Sequence, residues 1–279
     1  MYKLNENIFH QYNKWKKGYA RKENSLIMKL NNFLSKKKRN VDKYHISEDG
    51  KYVDCDESIL ITDSDLINGK FPFPFGKVKG DFCCYRCKDL ISLEGAPKEI
   101  DGDFDFRECD NLTSLKCSPN NISGFMDCSY CPITSLEGAP EKIGEFFDCT
   151  DCPNLTSLVG APKEVGEFFA CDRCEKLTSI VGAPEKVGDD FSCCECPNLT
   201  SIIGAPKEVV GAFRCNKCKN LKSLEGAPEK VSRWFNCARC DSLTSLEYLP
   251  KEIDGILKVD KRFKGKIPSD INVIKKQYV

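Results

Sequence analysis

A unit of 22 residues recurs through most of the chain and constrains its fold more than any other feature. One copy begins at Cys171 and ends at Ser192, directly before the next copy. At intervals of 22 residues, with one interval of 21, the first position of the unit is occupied by Cys84, Phe106, Cys128, Cys149, Cys171, Cys193, Cys215, Cys237 and Val259. A fixed period of this length predicts a solenoid, in which each unit packs only on its neighbours.

The apolar positions within the unit predict short strands around a shared interior. In the copy that starts at Cys171, Leu177 and Ile180 belong to two rows that are apolar in every copy, and a proline turn at Pro184 follows them. Val187, Phe191 and the next first-position cysteine then alternate onto one face of a strand. We therefore predict a mainly β solenoid of about eight or nine coils, with continuous sheets formed by stacking.

The segments outside the repeats predict caps at both ends. Residues 1–46 have helical spacing and predict a basic segment of two short helices, a small α-helical N-terminal cap. Residues 47–83 predict an irregular capping coil, because terminal units of solenoids are atypical. The repeats then occupy residues 84–259, and residues 260–279 predict a C-terminal cap over the last coil.

The charges are balanced overall but unevenly distributed. The net formal charge is zero, yet residues 1–45 carry +9, residues 251–279 carry +4 and the middle carries −13. The first residues lack the apolar core of a signal peptide, and no apolar run is long enough to cross a membrane. These features predict a cytoplasmic protein without membrane contact, in which the 19 cysteines are reduced thiols.

The cysteines allow a metal interpretation and a structural one. Seven Cys-x-x-Cys pairs begin at the first position of the unit, and two such pairs brought together could form a four-cysteine zinc site or a redox centre. However, Phe106 and Val259 replace the first cysteine in two copies, and neither can bind metal. Free cysteine also packs as a small apolar residue. We therefore predict a structural cysteine ladder without a cofactor, and expect Cys83 and Cys194, which lie outside it, to be the exposed thiols.

Side chains next to the inward residues of the aromatic strand are expected to point outward and to form a binding surface. Aromatic residues recur there in consecutive coils, and aspartates surround them. Exposed aromatic clusters often mark partner sites. The predicted partner-binding residues are Phe125, Phe146, Phe168, Trp234, Asp103, Asp105, Asp127, Asp148 and Asp190.

The basic N-terminal segment supports an alternative function. Clustered lysines and arginines mixed with aromatic residues can bind phosphate backbones, or can be the solvated faces of helices. The candidate nucleic-acid residues are Lys14, Lys16, Lys17, Arg21, Lys22, Lys36, Lys37, Lys38 and Arg39. The acidic middle of the chain leaves a further alternative, in which the protein acts as a decoy that mimics DNA.

The repeat resembles known families. The pattern Leu-Thr-Ser-Leu-x-Gly-Ala-Pro-x-x-Val-Gly-x-x-Phe-x-Cys-x-x-Cys resembles the leucine-rich repeats of the BspA-like type, although the spacings before the proline and after the valine differ. It is also similar to Gly-Ala-Pro-type repeats in proteins of large tailed bacteriophages, over roughly residues 60–260. The resemblance implies a leucine-rich-repeat-like solenoid used for binding. It also implies a phage accessory factor that engages or inhibits a host protein in the host cytosol, with host immunity as one setting.

The residues needed for common catalytic sites are missing from the repeats. The two histidines, His10 and His45, lie outside them, and the chain has no glycine-rich phosphate loop followed by Lys-Ser or Lys-Thr. We therefore expect no catalytic residues and no enzyme. The predicted function is recognition of a cellular protein, with nucleic-acid binding through the N-terminus as the alternative.

Overall fold

The computed structural model describes residues 23–279, in which the repeat produces pairs of very short strands. In most coils the Val or Ile after the proline turn and the Phe four residues later anchor separate strands, since both residue types favour extended backbone, and Met126 and Leu257 take the place of Phe in two coils. One α-helix, α1 (Glu23–Lys37), precedes them, and 3-10 turns cover Val41–Lys43, Asp63–Asp65 and Lys261–Phe263. The strands are β1 (Tyr44–Ile46), β2 (Val53–Cys55), β3 (Ile59–Leu60), β4 (Phe75–Val78), β5 (Phe82–Cys83), β6 (Glu99–Ile100), β7 (Phe104–Asp105), β8 (Asn121–Ile122), β9 (Met126–Asp127), β10 (Lys142–Ile143), β11 (Phe147–Asp148), β12 (Glu164–Val165), β13 (Phe169–Ala170), β14 (Lys186–Val187), β15 (Phe191–Ser192), β16 (Glu208–Val209), β17 (Phe213–Arg214), β18 (Lys230–Val231), β19 (Trp234–Asn236), β20 (Glu252–Val259) and β21 (Asn272–Tyr278).

Stacking of the coils joins these strands into two sheets of a parallel β-solenoid with about ten turns. The first sheet has the order β1-β2-β4-β6-β8-β10-β12-β14, with only β1 and β2 antiparallel. The second has the order β16-β18-β20-β19-β17-β15-β13-β11-β9-β7-β5-β3, and β21 pairs with β20. Strand β20 is long enough to pair with β18 through one part and with β19 through another. The predicted 22-residue solenoid is thus confirmed, and the stack extends back to β1.

The interior is filled by the same residue type at the same position in successive coils. Phe147, Phe169, Phe191, Phe213 and Phe235 form one column of fully buried, nearly parallel rings, 5.3–5.5 Å apart between centroids. The two rows of Leu and Ile and the cysteines fill the remaining interior. A single coil has no partner for these side chains, so stability comes from stacking.

A tight turn between the two cysteines of each coil places one residue in the left-handed region. In eight consecutive coils this residue has φ between 53° and 62°, although none of the eight is glycine. Oppositely charged neighbours join across coils, with 2.9 Å between Arg86 Nε and Glu108 Oε2 and 2.8 Å between Lys217 Nζ and Glu195 Oε1. The turn residues are Arg86, Glu108, Tyr130, Asp151, Arg173, Glu195, Lys217 and Arg239.

The outer side of the Val/Ile strands carries a pattern of alternating charge, which we call the charge checkerboard. After the proline, six consecutive coils alternate between Glu-Lys and Lys-Glu, so each charge faces the opposite charge in the neighbouring coils of this run. Glu164 shows the arrangement, since its carboxylate lies 3.2 Å from Lys142 Nζ and 2.8 Å from Lys186 Nζ. The two columns are Glu141, Lys163, Glu185, Lys207, Glu229 and Lys251, and Lys142, Glu164, Lys186, Glu208, Lys230 and Glu252.

Helix α1 covers the first coils, which confirms the predicted helical N-terminal cap. Its Phe33 is buried and makes edge-to-face contacts with Tyr44, Phe73 and Phe75, with centroid distances of 5.4–6.3 Å. Leu30 and Leu34 are buried beside it. The first of the two predicted helices falls within residues 1–22, outside the described part of the chain.

Candidate functional site

Three phenylalanines form a stack on the outer side of the second sheet. Phe125, Phe146 and Phe168 each precede an inward residue, and the inward partners Phe147 and Phe169 are fully buried. The predicted alternation of faces is therefore observed in these strands. The outer rings are half-buried because each lies against the ring of the next coil. We call these three residues the aromatic stack.

The outer rings are more closely spaced than the buried rings of the same coils. Phe146 and Phe168 lie 4.5 Å apart between centroids, whereas Phe147 and Phe169, in the same two coils, lie 5.4 Å apart. Both pairs are nearly parallel, with interplanar angles of 7°. The outer rings therefore stack in closer contact with one another than the buried rings of the same coils do.

Aspartates at the ends of the aromatic stack bond to the backbone of the next coil. Asp103 Oδ1 accepts a hydrogen bond from the Phe125 amide at 3.1 Å, and Asp190 Oδ1 accepts one from the Ala212 amide at 2.6 Å. Arg214 forms an ion pair with Asp190. Burial raises the pKa of Asp103 above its ordinary value. These two residues thus connect coils as well as bordering the stack.

The predicted acidic rim is less exposed than the sequence indicated. Asp105 and Asp127 are only 5% and 6% exposed, since Arg107 lies within 3.5 Å of both carboxylates. The Ser129 amide and hydroxyl also donate to Asp127 Oδ1. Asp148 is half-buried, and burial raises its pKa above the ordinary value. The expectation that Asp105 and Asp127 form an exposed border was wrong, because long neighbouring side chains cover these short ones.

Glu145 and Glu167 are exposed beside the aromatic stack, and the sequence analysis did not select them. They belong to two copies of Gly-Glu-Phe-Phe, at residues 144–147 and 166–169, and this local repeat was the signal that could have identified them. Trp234 lies in the same column and is 52% exposed. The coils of Asp190 and Ala212 separate it from Phe168, so it does not extend the stack.

The cysteines form a ladder of buried thiols that bond to the backbone. Sγ of every second-position cysteine, including Cys109, donates to a carbonyl of the preceding coil at 3.1–3.5 Å. At the first position, Cys149 and Cys171 donate instead to a backbone carbonyl of the following coil, at 3.3 and 3.4 Å. Burial raises the pKa of Cys171 well above its ordinary value. The predicted structural ladder is therefore present, and its thiols act as proton donors.

Two thiols differ from their predicted exposure. Cys194 is buried, with Sγ 3.1 Å from Asn216 Oδ1, and the expectation that it is exposed was wrong. Cys83 is half-buried, and the exposed thiol in residues 23–279 is Cys117. Within the same residues no group of three or more potential ligands could hold a metal ion.

Most of the basic run at the C-terminal end of α1 contacts the first coil. Lys37 Nζ lies 2.9 Å from the buried Asp65 Oδ2, and Lys36 Nζ donates to the Ser64 carbonyl at 3.0 Å. Arg39 donates to the Leu60 carbonyl at 2.6 Å and lies over the Phe33 ring. Lys38 is exposed. The other candidate nucleic-acid residues, Lys14, Lys16, Lys17, Arg21 and Lys22, lie outside the described residues.

Comparisons with protein-family models, curated proteins and solved structures found no match for the chain. No helix in residues 23–279 is long and apolar enough to cross a membrane. The fold and its interior therefore define the class, which is a parallel β-solenoid repeat protein with a ladder of buried cysteines.

Proposed function

We propose that this solenoid is a non-enzymatic recognition protein that binds another protein through the aromatic stack. The observation that carries the proposal is the position of three solvent-reaching phenyl rings, stacked at a 4.4–4.5 Å spacing on the outer side of the second sheet. Aromatic residues are enriched among the residues that contribute most to protein interfaces.

The arrangement favours binding over a purely internal role for these rings. The core of the same coils is already complete, since Phe147 and Phe169 fill the inward positions. The outer rings remain partly exposed although polar residues occupy equivalent positions elsewhere, as in Asp103 and Asp190. An apolar cluster that a fold does not need for its own core is a candidate interface.

Comparative pull-down from bacterial lysate tests the proposal. The wild-type protein is compared with the triple variant Phe125→Ser, Phe146→Ser, Phe168→Ser, and each sample is prepared with and without nuclease. Circular dichroism and the melting temperature must first show that the triple variant is folded. Tyr248→Ser provides the matched control, because Tyr248 is an exposed aromatic residue outside the stack.

We expect the wild type and the Tyr248 variant to retain a protein that the folded triple variant does not retain. Equal retention by all three proteins would contradict the proposal. Loss of all retained material on nuclease treatment would instead support the basic N-terminal segment as the binding region. On the resemblance to phage repeats, we propose a host protein in the cytoplasm as the partner, with binding that engages or inhibits it.

A further inference from the structure

The surroundings of the aromatic stack carry negative charge that other residues of the described chain do not balance. In residues 23–279, Asp103, Glu145, Asp148 and Glu167 form no ion pair, and all four lie beside or at the end of the stack. Arg107 contacts Asp105 and Asp127 and forms no ion pair with these four carboxylates. Removing a charge from water without a partner is unfavourable, so this region favours a cationic ligand.

Elsewhere on the surface, several carboxylates pair with basic side chains of the neighbouring coil. On the charge checkerboard, Glu164 lies between two lysines. In the turns between cysteines, Glu108 and Asp151 pair with Arg86 and Arg173. Beside the aromatic stack, unpaired carboxylates therefore lie next to partly exposed apolar rings.

We propose that the partner presents a basic segment in which apolar side chains alternate with arginine or lysine. This inference rests on the proposed function and specifies the chemistry of the partner at the same site. The apolar side chains contact the ring edges, because the ring faces are already covered within the stack at 4.4 and 4.5 Å. The cationic groups pair with Glu145 and Glu167 on one side and with Asp148 on the other, while their alkyl stems lie on the rings. The same charge repels the phosphate backbone of nucleic acids.

A displayed library of random 12-residue peptides provides the probe for this inference. The library is selected on the wild-type protein, and the affinities of enriched peptides are then measured by fluorescence anisotropy. Two double variants are compared with the wild type. The first carries Glu145→Lys and Glu167→Lys and keeps the aromatic stack. The second carries Glu137→Lys and Glu225→Lys, which make the same charge change at exposed sites away from the stack. The triple Phe→Ser variant is measured beside them.

We expect the enriched peptides to have net positive charge and apolar residues. Reversal at Glu145 and Glu167 should weaken their binding by about tenfold, since two attractive pairs of modest strength become repulsive. Reversal at Glu137 and Glu225 should change binding less than about twofold at 0.15 M salt, where the Debye length is about 8 Å.

The outcomes separate the inference from the proposed function. If the enriched peptides are neutral or acidic, or if the Glu145 and Glu167 variant binds them as the wild type does, the basic-segment inference is overturned and the aromatic site can stand. If peptides bind the triple Phe→Ser variant as tightly as the wild type, both proposals fail. Failure to enrich any peptide above the triple variant also overturns both.

Discussion

Cys171 illustrates why a thiol suits the interior of this solenoid. Its side chain is small enough to stack between coils, fully buried, and able to donate to the Ser192 carbonyl at 3.4 Å. Phe106 and Val259 can replace it because the column requires apolar volume, and the hydrogen bond of a neutral thiol is weak. The tolerance of the column for Phe and Val therefore follows from packing.

The buried thiols predict a loss of stability at alkaline pH. Burial raises the pKa of Cys194 and Cys196 to about 12 and that of Cys240 to about 11, so the folded state keeps these protons where the unfolded state releases them. Their contribution to stability is complete below the unfolded pKa, about 8.5, and is lost as pH rises toward the folded values. Each such thiol lowers the free energy of unfolding by about 1.4 kcal/mol per pH unit in that window.

Urea titrations at pH 7, 8, 9 and 10, in the presence of a phosphine reductant, measure this effect. We expect little change from pH 7 to 8 and a steep decrease from 9 to 10, before most lysines titrate. A free energy of unfolding that stays constant up to pH 10 would contradict the assignment of these cysteines as buried, protonated donors.

Among the elements, the charge checkerboard predicts that the order of two neighbouring charges affects stability. Exchanging Glu185→Lys with Lys186→Glu keeps length, composition and net charge, but places like charges beside Lys163, Glu164, Lys207 and Glu208. Exposed pairs contribute about 0–1 kcal/mol each, so we expect a loss of about 1–3 kcal/mol at low salt.

Salt provides the control for this exchange. At 1 M NaCl the Debye length is about 3 Å, and most of the difference between the exchanged and wild-type proteins should disappear. A loss that is equally large at both salt concentrations would indicate a packing defect and contradict the electrostatic explanation.

The strands also show how far sequence reasoning extends. Period-two alternation correctly assigned Phe147 inward and Phe146 outward, because side-chain direction in a strand depends only on parity. The burial of Asp127 depends on the reach of Arg107 from the neighbouring coil, which a repeat pattern does not encode. The alternation of Glu-Lys and Lys-Glu is visible in the sequence and was the signal that could have identified the charge checkerboard.

At the scale of the whole molecule, nearest-neighbour stacking predicts that damage to the N-terminal cap stays local. Phe33→Ala removes a buried ring that contacts Phe73 and Phe75, and such substitutions cost about 3–5 kcal/mol at fully packed sites. We expect faster amide exchange in β3 and β5 and unchanged protection in β15 and β17, measured by hydrogen–deuterium exchange mass spectrometry.

Met28→Ala is the matched change for this experiment, since Met28 lies on the same helix and is 64% exposed. It should leave exchange in β3 and β5 as in the wild type. Equal acceleration along the whole array in the Phe33 variant would show that the solenoid unfolds as one cooperative unit.

The charge checkerboard also bears on how a gene for such an array can change in length. Duplication or loss of one coil between Glu141 and Glu252 would set Glu against Glu and Lys against Lys at the new junction. Duplication or loss of two coils would leave every junction with its original alternation. In this part of the chain the inherited unit is therefore the pair of coils, although the backbone repeats with every single one.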